Sequence, residues 1–236
     1  MVAAGAEQQY YDIGRSALQL ITMAGELCDK PHYPKILDYA CGHGRVLRWI
    51  KAQYPYAEIT ACDIDEDAVE YCASTFEVKG AVADNSFANG TFENQFDLIW
   101  CGSLLTHLDS KHWWAALERM IAWTAECGVL IFSVQGRFLA SEMLSGRAAY
   151  ASNVDVERLL ENYRKSGYAF EPYFENPHNE YGMTLTSPGF LGKAIERYND
   201  VILRSYMEQA WGVQDVVILY KSKNFFCLQG PAGNSG

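Results

Sequence analysis

The chain has 236 residues, 49% of them hydrophobic, with 15 Tyr, 11 Phe and 6 Trp. That is enough apolar material for one α/β domain with an insertion, and it excludes disorder except at the ends. A net charge of -10 argues against a surface built to follow a phosphate backbone, so nucleic acid is not expected as a partner.

The apolar spacing of Ile13, Ala17, Leu18, Leu20, Ile21 and Ala24 predicts a first helix over 10–28, ending before Pro31 and Pro34. Strand and helix then alternate: strands at 35–39, 58–62, 79–83, 97–101 and 128–134, helices at 45–54, 66–76 and 111–124. Asp65 and Asp67 bracket the start of the third helix, where acids complement the helix dipole. Such alternation implies a parallel sheet with helices on both faces. Trp113, Trp114 and Trp123 read as core residues of the helix that also carries Leu117, Met120 and Ile121. After Val134 the rhythm breaks. Residues 137–180 read as an inserted lid with a helix at 155–166 stopped by Gly167, then the aromatic run Tyr168, Phe170, Tyr173 and Phe174. A strand is expected at 182–186, a helix at 189–208 behind Pro188, and a last strand at 215–221. Residues 1–228 thus read as a single domain and 229–236 as a tail without packing potential.

The seven cysteines are scattered without C-x-x-C spacing and read as buried thiols of a reduced protein. No run approaches the ~20 apolar residues of a bilayer span, and no basic region followed by an apolar core opens the chain, so a cytoplasmic setting is expected. His107 and His112 lack a partner at ligand spacing, and metal independence is expected.

Function is concentrated at 36–45, Ile-Leu-Asp-Tyr-Ala-Cys-Gly-His-Gly-Arg. A strand carrying Asp38 turns through Gly42 and Gly44, which let the backbone approach a ligand without a Cβ in the way. Asp63 ends the next apolar run, placed to accept hydrogen bonds from a ribose diol. A dinucleotide fingerprint requires Gly or Ala three residues after Gly44, where Leu47 stands. An acid at Asp38 would repel a pyrophosphate and attract an ammonium group by the same Coulomb term.

The pattern strand-Asp38-x-x-x-Gly42-x-Gly44, followed by a strand and Asp63-Ile64-Asp65, resembles the class I S-adenosylmethionine-dependent methyltransferases. Residues 80–85, 96–101 and 102–108 extend the likeness, and 10–15 with Gln214-Asp215-Val216 make it most similar to small-molecule and glycan-associated members. The resemblance implies a Rossmann-like sheet of seven strands, mostly parallel, in the order 3-2-1-4-5-7-6 with strand 7 antiparallel. It implies S-adenosylmethionine as cofactor. The first turn would contribute Asp38, Ala40, Cys41, Gly42 and Gly44 to it, and the second strand's end Asp63 and Ile64. Asp84, with Asn85 as its competitor, would face the adenine, Cys101 would line the site by position, and Arg15 would hold the methionine carboxylate.

Transfer to a hydroxyl needs a base, because a neutral hydroxyl is a weak nucleophile. His107, six residues past the fourth strand, is the leading candidate; its alternative is a helix-start histidine bonded to a backbone carbonyl. His178, Glu180 and Tyr181 are further candidates from the insertion. The (Asn/Asp)-Pro-Pro-aromatic motif with which some relatives hold a planar amino group is absent at 100–103, which favours oxygen over nitrogen, and the resemblance implies a small-molecule or sugar acceptor. An NAD(P)-dependent oxidoreductase, a non-catalytic S-adenosylmethionine-binding module and a structural partner protein remain as alternatives.

Overall fold

The computed structural model describes residues 6–84, 92, 95–148, 153–175 and 180–222. In chain order these form α1 (Ala6–Leu27), β1 (Lys35–Tyr39), α2 (Leu47–Gln53), β2 (Glu58–Asp63), α3 (Glu66–Phe76), β3 (Lys79–Val82), β4 (Phe96–Cys101), α4 (Ser110–Trp123) and β5 (Thr124–Val134). There follow α5 (Arg137–Leu144), α6 (Val156–Ser166), β6 (Tyr168–Pro172), β7 (Gly182–Thr186), α7 (Pro188–Ile195), β8 (Val201–Trp211) and β9 (Gln214–Lys221). Seven strands form one sheet in the order β3-β2-β1-β4-β5-β9-β8, while β6 and β7 make a separate antiparallel pair.

Strands β1 to β5 are parallel, and Tyr39 stands opposite both Cys62 and Cys101, so three strands end on one line at the carboxyl edge. Side chains alternate across this sheet. Leu37, Tyr39, Ile99 and Cys101 pack with Trp113, Leu117 and Met120 of α4 and Leu191 of α7. Ile36, Ile59, Leu98 and Trp100 pack on the other face with Ala17, Ile21 and Ala24 of α1 and Leu47 and Ile50 of α2. Trp113 and Trp123 are buried, as the helical spacing implies, and Trp100 is a core residue in edge contact with Trp211. The helix starts are held by short acids: Asp65 accepts from the amides of Asp67 and Ala68, and Asp109 from that of His112.

The expected strand order is present, with the last strand antiparallel to its neighbours. Two assignments within it are corrected. The helix expected over 189–208 ends at Ile195, and its second half is edge strand β8, whose irregular exposure hides the period-2 pattern. The strand at 182–186 is β7; it lies outside the main sheet, so the sixth strand of that sheet is β8. All five β7 residues are buried, as in a central parallel strand, because β6 and a small cluster of Leu139, Met143 and Leu159 cover it.

The β6–β7 pair is stitched to the loop after β4. Gly182 N donates to His107 O at 2.9 Å, Thr184 N to Thr106 O at 2.9 Å, and Leu108 bridges Tyr181. The covering segment therefore sits in fixed register over the carboxyl edge. Among the described residues no helix is long and apolar enough to cross a membrane. The tail at 229–236 lies outside the described residues.

Candidate functional site

A cavity of about 570 Å³ opens at the carboxyl edge of β1, β2 and β4. Its floor is the turn after β1. Ala40, Gly42 and Gly44 all have positive φ, at 60°, 47° and 74°. No protein atom lies within 4 Å of where a Cβ on Gly42 would project, whereas one on Gly44 would stand 2.5 Å from the Phe76 ring and 3.2 Å from Cys72 Sγ. The two glycines thus serve different ends: Gly42 keeps the cavity wall low, and Gly44 lets α3 pack beneath it.

Asp63 closes the turn electrostatically. Its Oδ2 accepts from Gly42 N at 2.8 Å and its Oδ1 from Asp65 N at 3.1 Å. A carboxylate has about four lone-pair sites, so each oxygen keeps capacity for a hydroxyl donor. Because the Gly42 amide is spent on Asp63, it does not point unpaired at a phosphate. Ile64, 61% exposed, presents an apolar face beside that carboxylate on the same wall.

Asp38 is placed differently from the sequence expectation. It lies beneath the turn, 2% exposed, accepting from the Leu47 amide. Burial first, then neighbouring Cys72 and Asp63, pushes its carboxyl well above the usual range. The charge argument made for Asp38 therefore transfers to Asp63, the acid that faces the cavity. Cys41 and Cys101 are buried behind the wall and not on it. Ala83, not Asp84, contributes to the lining, and Asn85 lies outside the described residues. Arg15 stands on the exposed side of α1, paired with Asp12 at 2.9 Å and away from the cavity.

Across the cavity stand Gly102, Ser103, Leu104, His107 and Tyr181. Ser103, at φ 66°, is held by its amide on Ser133 Oγ at 2.7 Å and by Gln214 Nε2 on its own Oγ at 2.9 Å. His107 Nδ1 is 3.0 Å from Gly182 O and 2.9 Å from Tyr173 Oη, and its ring stacks on Tyr181 at 4.8 Å. Burial holds His107 below the usual imidazole range, against the opposing effect of the Gly182 carbonyl. Burial and then Asp63 raise the Tyr181 hydroxyl.

The structure brings Ala40, Gly42, Asp63, Ile64, His107, Glu180 and Tyr181 to one cavity. His178 lies outside the described residues. Three contributors had no separate signal in the sequence. His112 reaches the wall from α4 with Nδ1 on Asp109 Oδ1 at 2.8 Å, Ser103 from the loop, and Tyr173 from behind His107. Only the aromatic run 168–174 marked the last. Asp215 is fully buried, accepting from Tyr206 Oη and Gln209 N, and makes no part of the wall. Among the described residues no group of three or more His, Cys, Asp and Glu has metal-holding geometry.

Residues 36–128, from β1 into β5, match the family model of a methyltransferase domain. No curated protein matches the chain. Solved structures do. The plantazolicin methyltransferase BpumL, in complex with a pentazolic desmethylPZN analog and SAH, is 15% identical with TM-score 0.60, over 89% of this chain and 86% of its own. An S-adenosylmethionine-dependent methyltransferase from Clostridium acetobutylicum ATCC 824 is 13% identical with TM-score 0.59, over 90% and 92%. An O-methyltransferase family protein from Burkholderia thailandensis is 12% identical with TM-score 0.56, over 94% of this chain and 61% of its own. At these identities the likeness is one of fold, and the fold is the Rossmann-like methyltransferase fold.

Proposed function

We propose that this chain, with a methyltransferase domain at 36–128, is an S-adenosylmethionine-dependent methyltransferase that methylates a small-molecule or sugar acceptor at oxygen. The observation that carries the reading is the joining, in one cavity, of the Asp63 carboxylate on the glycine turn with the His107 imidazole opposite. Gly42 leaves room for the cofactor, Asp63 accepts its ribose hydroxyls, and Ile64 offers a face to its base. When bound, S-adenosylmethionine supplies a methyl group on a positively charged sulfur.

The chain's own work is alignment and proton transfer. Holding an acceptor oxygen in line contributes several kcal/mol to such a reaction. The described contacts of His107 engage Nδ1, so Nε2 is the nitrogen that takes the acceptor's hydroxyl proton. Its lowered affinity for protons keeps it neutral and ready at neutral pH. The rings of Tyr39 and Tyr181 with Leu104 and Leu108 give the cavity flat apolar walls, suited to a planar molecule or a sugar face. The O-methyltransferase family protein among the similar structures supports oxygen as the target. The same reading takes residues 1–228 as one domain with a covering segment. It also takes the reaction as metal-independent, and the setting as reducing and cytoplasmic, supported by six described cysteines that are all free thiols.

The test is methyl transfer from isotopically labelled S-adenosylmethionine into a cell extract, with mass spectrometry of the product. A labelled product that vanishes with His107→Ala supports the reading. A protein that binds the cofactor and labels nothing is a binding module, and His107→Ala at near wild-type rate removes His107 as base.

A further inference from the structure

We infer that Tyr173 is a positioning residue for His107: together with the Gly182 carbonyl it fixes the imidazole proton on Nδ1 and leaves Nε2 as the proton-accepting atom of the cavity. This rests on the proposed role of His107 as base. Two oxygens converge on a single ring nitrogen, Gly182 O at 3.0 Å and Tyr173 Oη at 2.9 Å. A carbonyl oxygen only accepts, so a lone pair on Nδ1 at that distance would face another lone pair. The proton therefore resides on Nδ1. The tyrosine oxygen, which accepts as well as donates, shares that N–H in a three-centre arrangement.

The ring has little freedom to choose otherwise. Tyr181 stacks against it with an interplanar angle of 24°, and the Tyr173 ring lies 6.0 Å away on a tilted approach. Backbone bonds tie the same residues together: Tyr173 N donates to Tyr181 O at 3.4 Å and Gly182 N to His107 O at 2.9 Å. Tyr173, Tyr181 and Gly182 all come from the β6–β7 pair and its connection, so the register of that pair, and not helix α4, sets the tautomer.

When Nε2 gains a proton the positive charge spreads over the ring, and the Nδ1–H bonds to both oxygens strengthen. Tyr173 thereby stabilises the charged ring that burial disfavours. The titratable groups that share the cavity are Tyr181 and Glu180 from the covering segment, His112 from α4 with Asp109 behind it, Tyr39 from β1 and Asp63 from β2. Tyr173→Phe removes one hydroxyl and leaves all of these in place.

The test is nitrogen NMR of the full chain labelled with ¹⁵N-histidine, the His107 signals identified by their loss in His107→Gln. The expected result is a neutral His107 carrying its proton on Nδ1, and in Tyr173→Phe a titration midpoint moved to lower pH with an unchanged circular dichroism spectrum. A proton on Nε2 in the native chain overturns the inference, as does a midpoint that stays or rises in Tyr173→Phe. Should that variant fail to fold, the tautomer of the native chain decides alone. The base role is tested separately by labelled methyl transfer with His107→Ala, so failure of the clamp and failure of the base are told apart.

Discussion

The two glycines of the first turn make a discriminating pair, because alanine at each breaks something different. Both have positive φ, at 47° and 74°, so alanine at either incurs a left-handed backbone cost of about 1–2 kcal/mol. At Gly42 nothing more is added, since the new methyl meets no protein atom within 4 Å. At Gly44 the methyl would stand 2.5 Å from Phe76 and 3.2 Å from Cys72, which is fully buried. Phe76 can swing aside, giving up its edge contact with Tyr71, but Cys72 cannot, and overpacking of this kind adds about 1–3 kcal/mol. The expected destabilisation is therefore ~1–2 kcal/mol for Gly42→Ala and ~2–5 kcal/mol for Gly44→Ala, read from urea unfolding. Ligand binding reverses the order. Gly42 lies on the cavity wall and Gly44 beneath it, so calorimetry with S-adenosylhomocysteine should find affinity lost in Gly42→Ala and largely kept in folded Gly44→Ala. Equal destabilisation with equal affinity would refute this division of labour.

Asp63→Asn keeps the shape but loses the charge and one acceptor, and affinity for S-adenosylhomocysteine should fall about tenfold to a hundredfold, the worth of a charge-assisted bond. His107→Ala should lower the methyl-transfer rate by roughly 10²–10⁴ with the cofactor affinity unchanged. Since the neutral imidazole is the active form and burial lowers its proton affinity, the acid limb of kcat/KM should fall below the ordinary histidine value of about 6.5. Stability follows with a definite sign: between the lowered native value and the unfolded one the unfolded chain binds more protons, so stability rises with pH across that window. Urea titrations through mildly acidic pH should show the rise, and His107→Gln should flatten it.

The sequence was most legible where local and global demands agree. Strands β1, β2 and β4 are dominated by buried apolar residues because both faces are covered, and two of the residues that end them, Tyr39 and Asp63, also line the cavity. After Val134 the helix at 155–166 and the strands at 182–186 and 215–221 were still legible, but the stretch 189–208 was not. The run Val201-Ile202-Leu203 suits helix or strand, and β8 is an edge strand with exposed Ile202 and Leu203, so no clean alternation betrays it. Tyr198-Asn199-Asp200, where α7 has ended, was the local signal for a break.

Within the site, the cradle was legible because glycine and acid spacings are chemical necessities of the turn. Asp38 was misplaced because spacing reveals proximity to a ligand but not burial, and its neighbour Leu47 takes it into the interior. Arg15 was read as a ligand contact on likeness, but its helix face points to Asp12. The contact of Tyr173 with His107 was invisible in the sequence, since it spans 66 positions and exists only through the β6–β7 register.

The central claim is that a glycine turn closed by Asp63 admits an adenosyl-sulfur ligand in place of a dinucleotide. Isothermal calorimetry of the native chain with S-adenosylhomocysteine and, separately, NADH tests it most directly. Saturable one-to-one binding of the former, weakened in Asp63→Asn, with no heat from the latter is expected; tight NADH binding without response to S-adenosylhomocysteine would contradict it.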